Sequence, residues 1–193
     1  MKTLEGLLTQ GITASTQGNV EEALRIFFET TQEYPQDFAA HFLYAAELAS
    51  AKRYPEATQF YARALALQEN NAICRFQYGL LLLTMGDESE SSEVLAPLLK
   101  LPDASYMKQF SLALTLIGQG LPHEAEMPLR KGLASNADVP DLNRDMTLLL
   151  QRVLAHTNQQ QQAQLAESHP EMTAQHVGLP MEVLVKKYED KFH

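Results

Sequence analysis

The sequence repeats itself with a period of 34 residues. Small residues recur at this spacing in two columns, and phenylalanines recur at it in a third. The columns are Gly11, Ala45, Gly79 and Ala113; Ala23, Ala57, Ser91 and Ala125; and Phe42, Phe76 and Phe110. A period of this size indicates stacked copies of one unit, because a single copy cannot bury its own apolar face. The sequence predicts four copies, over residues 4 to 37, 38 to 71, 72 to 105 and 106 to 139.

Each copy is predicted to form two helices. Apolar residues stand three and four positions apart in both halves of a copy, which favours helix over strand. Short turns separate the halves, and in three copies the turn contains a glycine that can take the positive φ common at helix ends. The turns fall at Gly18-Asn19, Lys52-Arg53, Gly86-Asp87 and Gly120-Leu121-Pro122. An all-α stack of helix pairs is therefore expected.

The two small columns are expected to let the helices of one copy approach closely. Larger residues stand four positions after the second column, and we expect them to pack under the following copy; they are Phe27, Tyr61, Leu95 and Leu129. This order of small, small and aromatic residues resembles the tetratricopeptide (TPR) family from residue 4 to about residue 139. The resemblance implies a right-handed superhelix of about four helix-turn-helix repeats. In departure from the family pattern, the chain has no Trp, Lys52 replaces one turn glycine, and only Pro35 stands in the closing proline column.

A capping helix is predicted to follow the repeats. Asp138 and Pro140 resemble a helix start, and an apolar stripe comes after them at Leu142, Met146, Leu149, Leu150, Val153 and Leu154. The predicted organisation is a solenoid with its capping helix over residues 1 to 157, a linker or irregular segment over 158 to 179, and an amphipathic C-terminal helix over 180 to 193.

The C-terminal helix is predicted to dock on apolar surface, because it is too short to persist alone in water. Its apolar stripe is Met181, Leu184, Val185, Tyr188 and Phe192. One hypothesis is that it occupies the groove of the repeats as a built-in competitor for the partner. The alternative is that it caps the final repeat.

Charge and composition exclude several classes of function. The formal net charge is −9, whereas partners with phosphate backbones or anionic lipids need clustered Lys and Arg. Neither a nucleic acid nor a membrane is expected as a partner. The first residues lack the long apolar stretch of a signal peptide, so a cytoplasmic location is predicted. Cys74 is the only cysteine, which excludes an internal disulfide, and we expect it to be a small buried hydrophobe.

The motif search predicts a non-enzymatic protein without cofactor or metal. The sequence has no phosphate-binding glycine loop, no His-Glu-x-x-His and no cysteine paired with a base. His169 and His176 could share a helix face, but Pro170 interrupts it. His41 is expected to hydrogen-bond between helices, and the acidic run from residue 87 to residue 90 to be a solvated helix start.

The resemblance to TPR proteins also implies a binding groove. In that family the first helices line a concave inner surface, and the columns that face it are mainly apolar and aromatic in this chain. Leaving a Phe or Leu in water forgoes about 1.5 to 3 kcal/mol of burial, and contiguous exposed apolar area marks a binding site. The implied groove residues are Leu8, Ile12, Phe42, Ala46, Ile73, Phe76, Leu80, Leu83, Met107, Phe110, Leu114 and Ile117.

The inner positions exclude recognition of the acidic tails of heat-shock chaperones. Co-chaperones of that kind clamp a carboxylate with Lys, Asn and Arg at five inner positions. In this chain those positions hold Leu8, Ile12, Leu43, Ile73 and Gln77. A partner that offers apolar side chains, from an amphipathic helix or an extended segment, fits better.

The favoured function is therefore a protein interaction module, an adaptor or a chaperone-like protein, that holds an apolar peptide or helix in this groove. A narrower version is a chaperone like the class II chaperones of type III secretion, which are compact TPR proteins that shield hydrophobic segments. The alternative is a self-assembling scaffold, in which the groove or the C-terminal helix builds a homo-oligomer.

Overall fold

Residues 3 to 137 and 139 to 168 are described by the computed structural model, and these ranges contain helices and turns but no strand. The α-helices are α1 Leu4–Thr16, α2 Val20–Glu33, α3 Phe38–Ser50, α4 Tyr54–Leu67, α5 Ala72–Met85, α6 Glu88–Leu95, α7 Tyr106–Gly118, α8 Glu126–Ser135 and α9 Pro140–Ser168. One 3₁₀ segment, Ala96–Lys100, extends α6, and another, Pro122–Ala125, leads into α8. Each predicted repeat holds one pair of helices, so the predicted all-α fold is confirmed.

The chain divides into two units after Leu154. The first unit contains the four helix pairs and the first half of α9. In the second unit the structure describes residues 155 to 168, which continue α9. The segment predicted as a linker, 158 to 179, is therefore helical as far as Ser168. The predicted helix over 180 to 193, its docking, and the pair His169 and His176 lie outside the described residues.

The helix pairs of the first unit stack in sequence order. The helix α2 packs against both α1 and α3, α4 packs against α3 and α5, and α6 packs against α5 and α7. Buried residues form two clusters. One joins the first two repeats to α5 of the third and includes Phe27, Leu48 and Tyr61, and the other joins the last two repeats to α9. The predicted capping stripe contributes Met146, Leu150 and Val153 to the second cluster.

The small columns allow close helix contacts within a repeat, as predicted. A β carbon added at Gly79 would stand 2.5 Å from Leu95 Cγ, and one added at Gly11 would overlap the ring of Phe27. The larger residues Phe27 and Leu95 thus lie against glycines of their own repeats. Tyr61 reaches the following repeat, where its hydroxyl donates to Gln77 Oε1 at 3.0 Å.

The turn between the two helices of each repeat requires a left-handed backbone at one position. Gly18, Gly86 and Gly120 have φ of 77°, 82° and 74° there, and Lys52 has φ of 60°. The predicted turn column is therefore occupied in the same conformation in all four repeats, although a residue with a β carbon adopts it at a cost.

Candidate functional site

Three adjoining depressions lie on the surface where α1, α3 and α5 are exposed, which we call the first-helix face. The first lies between α1 and α3, the second between α3 and α5, and the third between α5, α7 and the start of α9. Ala46 and Ser50 line both the first and the second depression, and Gln77 and Asp145 line both the second and the third. The shared walls make the face continuous.

The first depression has a volume of about 230 Å³ and combines apolar walls with a buried carboxylate. Ile12 on α1 is 45% exposed at its edge. Glu47 on α3 is buried, and its Oε2 accepts a hydrogen bond of 2.7 Å from Ser15 Oγ, which links α1 to α3. The walls are Ile12, Ser15, Thr16, Phe27, Leu43, Ala46, Glu47 and Ser50.

The second depression is larger, with a volume of about 360 Å³. At its base, Tyr61 donates its hydroxyl hydrogen to Gln77, and burial raises the pKa of Tyr61 well above its ordinary value. A tyrosine phenol is protonated at physiological pH, so the hydroxyl of Tyr61 is the donor in this bond. The walls are Ala46, Ala49, Ser50, Tyr54, Tyr61, Gln77, Leu80, Leu81, Thr84 and Asp145.

The third depression has a volume of about 170 Å³ and lies next to the start of α9. Ile73 on α5 is 46% exposed, while Phe76 and Met107 are buried. The walls are Ile73, Phe76, Gln77, Met107, Val139, Asp141, Leu142 and Asp145.

Two asparagines position the start of α9 beside α8. Asn143 Nδ2 donates to the main-chain oxygen of Asn136 at 2.8 Å, and Asn136 Nδ2 donates to Asn143 Oδ1 at 2.9 Å. Asn136 Oδ1 also accepts from the Val139 amide at 3.1 Å. The two asparagines thus hold the turn that brings Asp141 and Asp145 to the face.

Comparison with known proteins identifies the fold. No protein-family model matches the sequence, and no curated protein matches it. A TPR protein of Thermus thermophilus is similar in structure with a TM-score of 0.61 and 18% identity, covering 77% of this chain and 82% of that chain. YrrB, a TPR protein with an unusual peptide-binding site, has a TM-score of 0.58 and 14% identity, covering 81% of this chain and 79% of that chain.

The protein has the TPR fold. MamA from Desulfovibrio magneticus RS-1 is similar at a TM-score of 0.59 and 16% identity, covering 81% of this chain and 96% of that chain. The 34-residue columns therefore predicted the TPR architecture correctly. In the described ranges, no helix of this TPR chain combines the length and the apolar character needed to cross a membrane.

The predicted groove residues of the TPR array fall into three groups. Ile12, Ala46, Leu80, Ile73, Phe76 and Met107 line the first-helix face. Leu83 and Leu114 line a separate depression of about 370 Å³ beside the start of α6. Leu8, Phe42, Phe110 and Ile117 line none of these depressions, and Leu8, Phe42 and Ile117 are half-buried.

The prediction that the phenylalanine column leaves its rings in water is wrong for Phe76 and Phe110, which are 1% and 0% exposed. Phe110 packs against Gly132 of α8, where a β carbon would overlap the ring. Phe76 and Phe110 then share a core with Met146 of α9. Gly132 on α8 makes room for the ring of Phe110, and residues of α9 add cover to the cluster that contains both rings. Met107 and Leu114 are buried in the same cluster.

Several wall residues were not predicted from the sequence, and the acidic ones set the charge of the face. Glu47, Asp141 and Asp145 line its depressions, whereas none of the described wall residues is Lys, Arg or His. A signal for Glu47 was present, since it is the one charged residue of α3 (FAAHFLYAAELAS). Asp145 could not be assigned to the face before the course of α9 was known.

Other predicted features have structural explanations. His41 Nε2 lies 3.0 Å from the Pro35 carbonyl oxygen, a contact between α3 and the preceding turn. Asp87 caps α6 by accepting from the Glu90 amide at 3.2 Å, so the acidic run is a helix start. Cys74 is fully buried, and burial raises the pKa of its thiol to about 12. In the part of the chain that the structure describes, no group of three or more His, Cys, Asp or Glu residues is placed to hold a metal ion.

Proposed function

We propose that this TPR protein is a non-enzymatic interaction module that binds an apolar peptide or amphipathic helix of a protein partner along the first-helix face. In this proposal the partner contacts Ile12, Ala46, Ile73 and Leu80 directly. The buried members of the predicted set, Phe76 among them, support the face from beneath.

The observation that carries the proposal is the continuity of the three depressions together with their exposed apolar edges. Ile12 and Ile73 are 45% and 46% exposed on helices whose other apolar residues are mostly covered. Exposed apolar side chains beside concave surface are typical of protein interaction sites. A helix or an extended segment laid along the face would cover both isoleucines and fill the depressions between them.

The structural neighbour YrrB gives independent support, because it is a TPR protein with a peptide-binding site. We further propose a cytoplasmic location, where a single free thiol such as that of Cys74 remains reduced.

A selection from a randomised dodecapeptide library displayed on phage tests the proposal. The full chain should enrich peptides with apolar residues at helical or alternate spacing. Ile73→Ser and Ile12→Ser should each weaken the best peptide by about tenfold, the usual cost of losing one apolar anchor at an interface. Met127→Ser is the matched control, since Met127 is 59% exposed on α8 and lines none of the three depressions.

Analytical ultracentrifugation of the same proteins separates this function from self-assembly. A homo-oligomer that dissociates in Ile73→Ser but not in Met127→Ser would show that the face binds a second copy of the chain. A monomeric chain that enriches no peptide would contradict the proposed function.

A further inference from the structure

The first depression contains a buried acidic side chain. Glu47 is 7% exposed. Among the Asp, Glu, Lys and Arg residues of the described ranges, it is the one that is buried. Its Oε2 accepts from Ser15 Oγ at 2.7 Å. Within those ranges no Lys, Arg or His lies in ion-pair distance of Glu47.

A buried carboxylate is costly when no cation compensates it. Moving a charge out of water is unfavourable, and a single hydroxyl donor offsets only part of that penalty. The second carboxylate oxygen of Glu47 can accept further hydrogen bonds. A ligand that supplies a positive donor would therefore gain more at this position than elsewhere on the face.

The shape of the first depression suits one long cationic side chain. Its volume of about 230 Å³ is several times the share of one water molecule in the liquid, about 30 Å³. Ile12, Leu43 and Ala46 offer apolar wall to an alkyl stem. Lys and Arg combine such a stem with a charged head, and Ser15, Thr16 and Ser50 add hydroxyl oxygens to the wall as further acceptors.

The second and third depressions of the face also favour a positively charged ligand. Asp145 lines the second and third depressions and Asp141 lines the third, and the described walls of all three depressions lack basic residues. Complementary charge raises the association rate and excludes partners of the wrong sign. An acidic segment, or a free C-terminal carboxylate placed near Glu47, would be repelled.

We propose that the first depression is a specificity pocket, in which Glu47 binds the ammonium or guanidinium group of a Lys or Arg side chain from the bound segment. The inference rests on the proposed function and deepens it: the partner is an apolar segment with a basic residue at one fixed position. Ser15 holds the carboxylate toward the pocket, and Ile12 and Leu43 cover the stem.

The test compares selections from the dodecapeptide library with the wild-type chain and with Glu47→Gln. The amide of Gln keeps an oxygen that can accept from Ser15, so the link between α1 and α3 is preserved while the charge is removed. Wild-type selections should share a Lys or Arg among apolar residues, and Glu47→Gln selections should lose that position and keep the apolar ones. Glu33→Gln is the control, because Glu33 is exposed at the end of α2 and lines none of the depressions.

A double-mutant cycle on the best wild-type peptide then measures the pairing. Replacing its Lys by norleucine, or its Arg by citrulline, should weaken binding to the wild-type chain at least about tenfold, as expected for a desolvated charge pair. The same replacement should change binding to Glu47→Gln less than about twofold. The thermal midpoint of Glu47→Gln should stay close to that of the wild type, because the amide oxygen can still accept the hydrogen bond from Ser15.

The outcomes are distinct. Enriched peptides that are apolar and carry no shared basic position would overturn the pocket and leave the proposed function intact. Equal losses for the norleucine or citrulline peptide with both proteins would also overturn it. Failure to enrich any peptide would contradict the proposed function itself, and with it this inference.

Discussion

Leu95 lies so close to Gly79 that a β carbon added to the glycine would stand 2.5 Å from Leu95 Cγ and 2.6 Å from Cδ2. The two residues belong to α5 and α6, the helix pair of the third repeat. The contact is reinforced by Ser91, whose hydroxyl donates to the main-chain oxygen of Gly79 at 2.7 Å. The absence of a side chain at position 79 therefore sets the separation of these helices.

Enlarging Gly79 should destabilise the protein. Gly79→Ala and Gly79→Leu force α5 away from α6, and overpacking of this kind costs about 1 to 3 kcal/mol, with the larger residue at the upper end or beyond. Thermal or urea unfolding measures the change. The double variant Gly79→Ala with Leu95→Ala should lose less stability than the sum of the two single variants, because the space vacated by leucine accepts the new methyl group.

Gly118→Ala is the matched control for this prediction. Its nearest neighbour is the flexible tip of Leu83 at 3.1 Å, and alanine is the better helix former. Its midpoint should change little or rise. A Gly79→Leu protein with the midpoint of the wild type would show that the helix contact has been misassigned.

Lys52→Gly should stabilise the protein. Lys52 has φ of 60° in the turn between α3 and α4, a conformation that costs a residue with a β carbon about 1 to 2 kcal/mol. Glycine removes that strain but adds entropy to the unfolded chain, so the net gain should be about 0.5 to 1 kcal/mol. The reverse change in the third repeat, Gly86→Lys, should destabilise by a similar or larger amount. Equal midpoints for both variants and the wild type would contradict the shared turn geometry.

The repeat columns predict positions better than they predict exposure. The spacing alone located the helix pairs, the left-handed turn residues and the close contact at Gly79. It could not show that Phe110 turns toward Gly132, because that depends on a small residue outside the aligned columns. Nor could it place Met146 in the same buried cluster as Phe110, since α9 has no counterpart in the repeat.

The sequence predicted only part of the candidate face. Ile12 and Ile73 are exposed at positions that the TPR resemblance assigns to the inner surface. Glu47 lines the face between the first two repeats, where it accepts a hydrogen bond from Ser15 of the other repeat. Its position as the one charged residue of α3 is visible in the sequence, but its contact with Ser15 follows only from the stacking of the two repeats.

Truncation of Phe76 should reduce stability far more than truncation of Ile73, although the two residues stand one helical turn apart on α5. Phe76→Ala should cost about 3 to 5 kcal/mol, because the ring is 1% exposed and its removal leaves a cavity. Ile73→Ala should cost less than about 1 kcal/mol, because the side chain is 46% exposed. Urea unfolding and peptide binding on the same samples measure both effects. A stable Phe76→Ala protein with weakened peptide binding would show that the ring belongs to the binding surface after all.

Asn136→Ala should loosen the start of α9. The side chain is 5% exposed and bonds to both Val139 and Asn143. Removing it leaves those groups without partners at a cost of about 1 to 3 kcal/mol. Amide hydrogen exchange should show the largest loss of protection in the first turns of α9. Asn158→Ala, at an exposed position in the same helix, is the control and should leave exchange unchanged.

The stability of the protein should fall as the pH rises through the alkaline range, with Cys74 contributing to the slope. Burial raises the pKa of its thiol from 9.0 to about 12, and burial also raises the pKa of Tyr61 and of Tyr78. Above pH 9 the unfolded chain releases the thiol proton while the folded chain retains it, so unfolding becomes more favourable until the folded pKa is reached. The stability that the buried thiol contributes is fully present below the pKa of the unfolded chain. It is lost as the pH rises from that value to the pKa of the folded chain.

Urea midpoints of the wild type and of Cys74→Ala, measured from about pH 8 to about pH 11 where thiols and phenols titrate, test this argument. The variant starts from a lower stability because a buried group has been removed. The two proteins are therefore compared by how steeply their urea midpoints fall with pH, not by the midpoints themselves. Cys74→Ala should show the shallower decline of the midpoint with pH. The decline that remains in this variant comes from Tyr61 and Tyr78. Parallel curves for the two proteins would mean that the thiol gains access to water in the folded state, and that the contact between α4 and α5 around Cys74 opens more readily than its packing indicates.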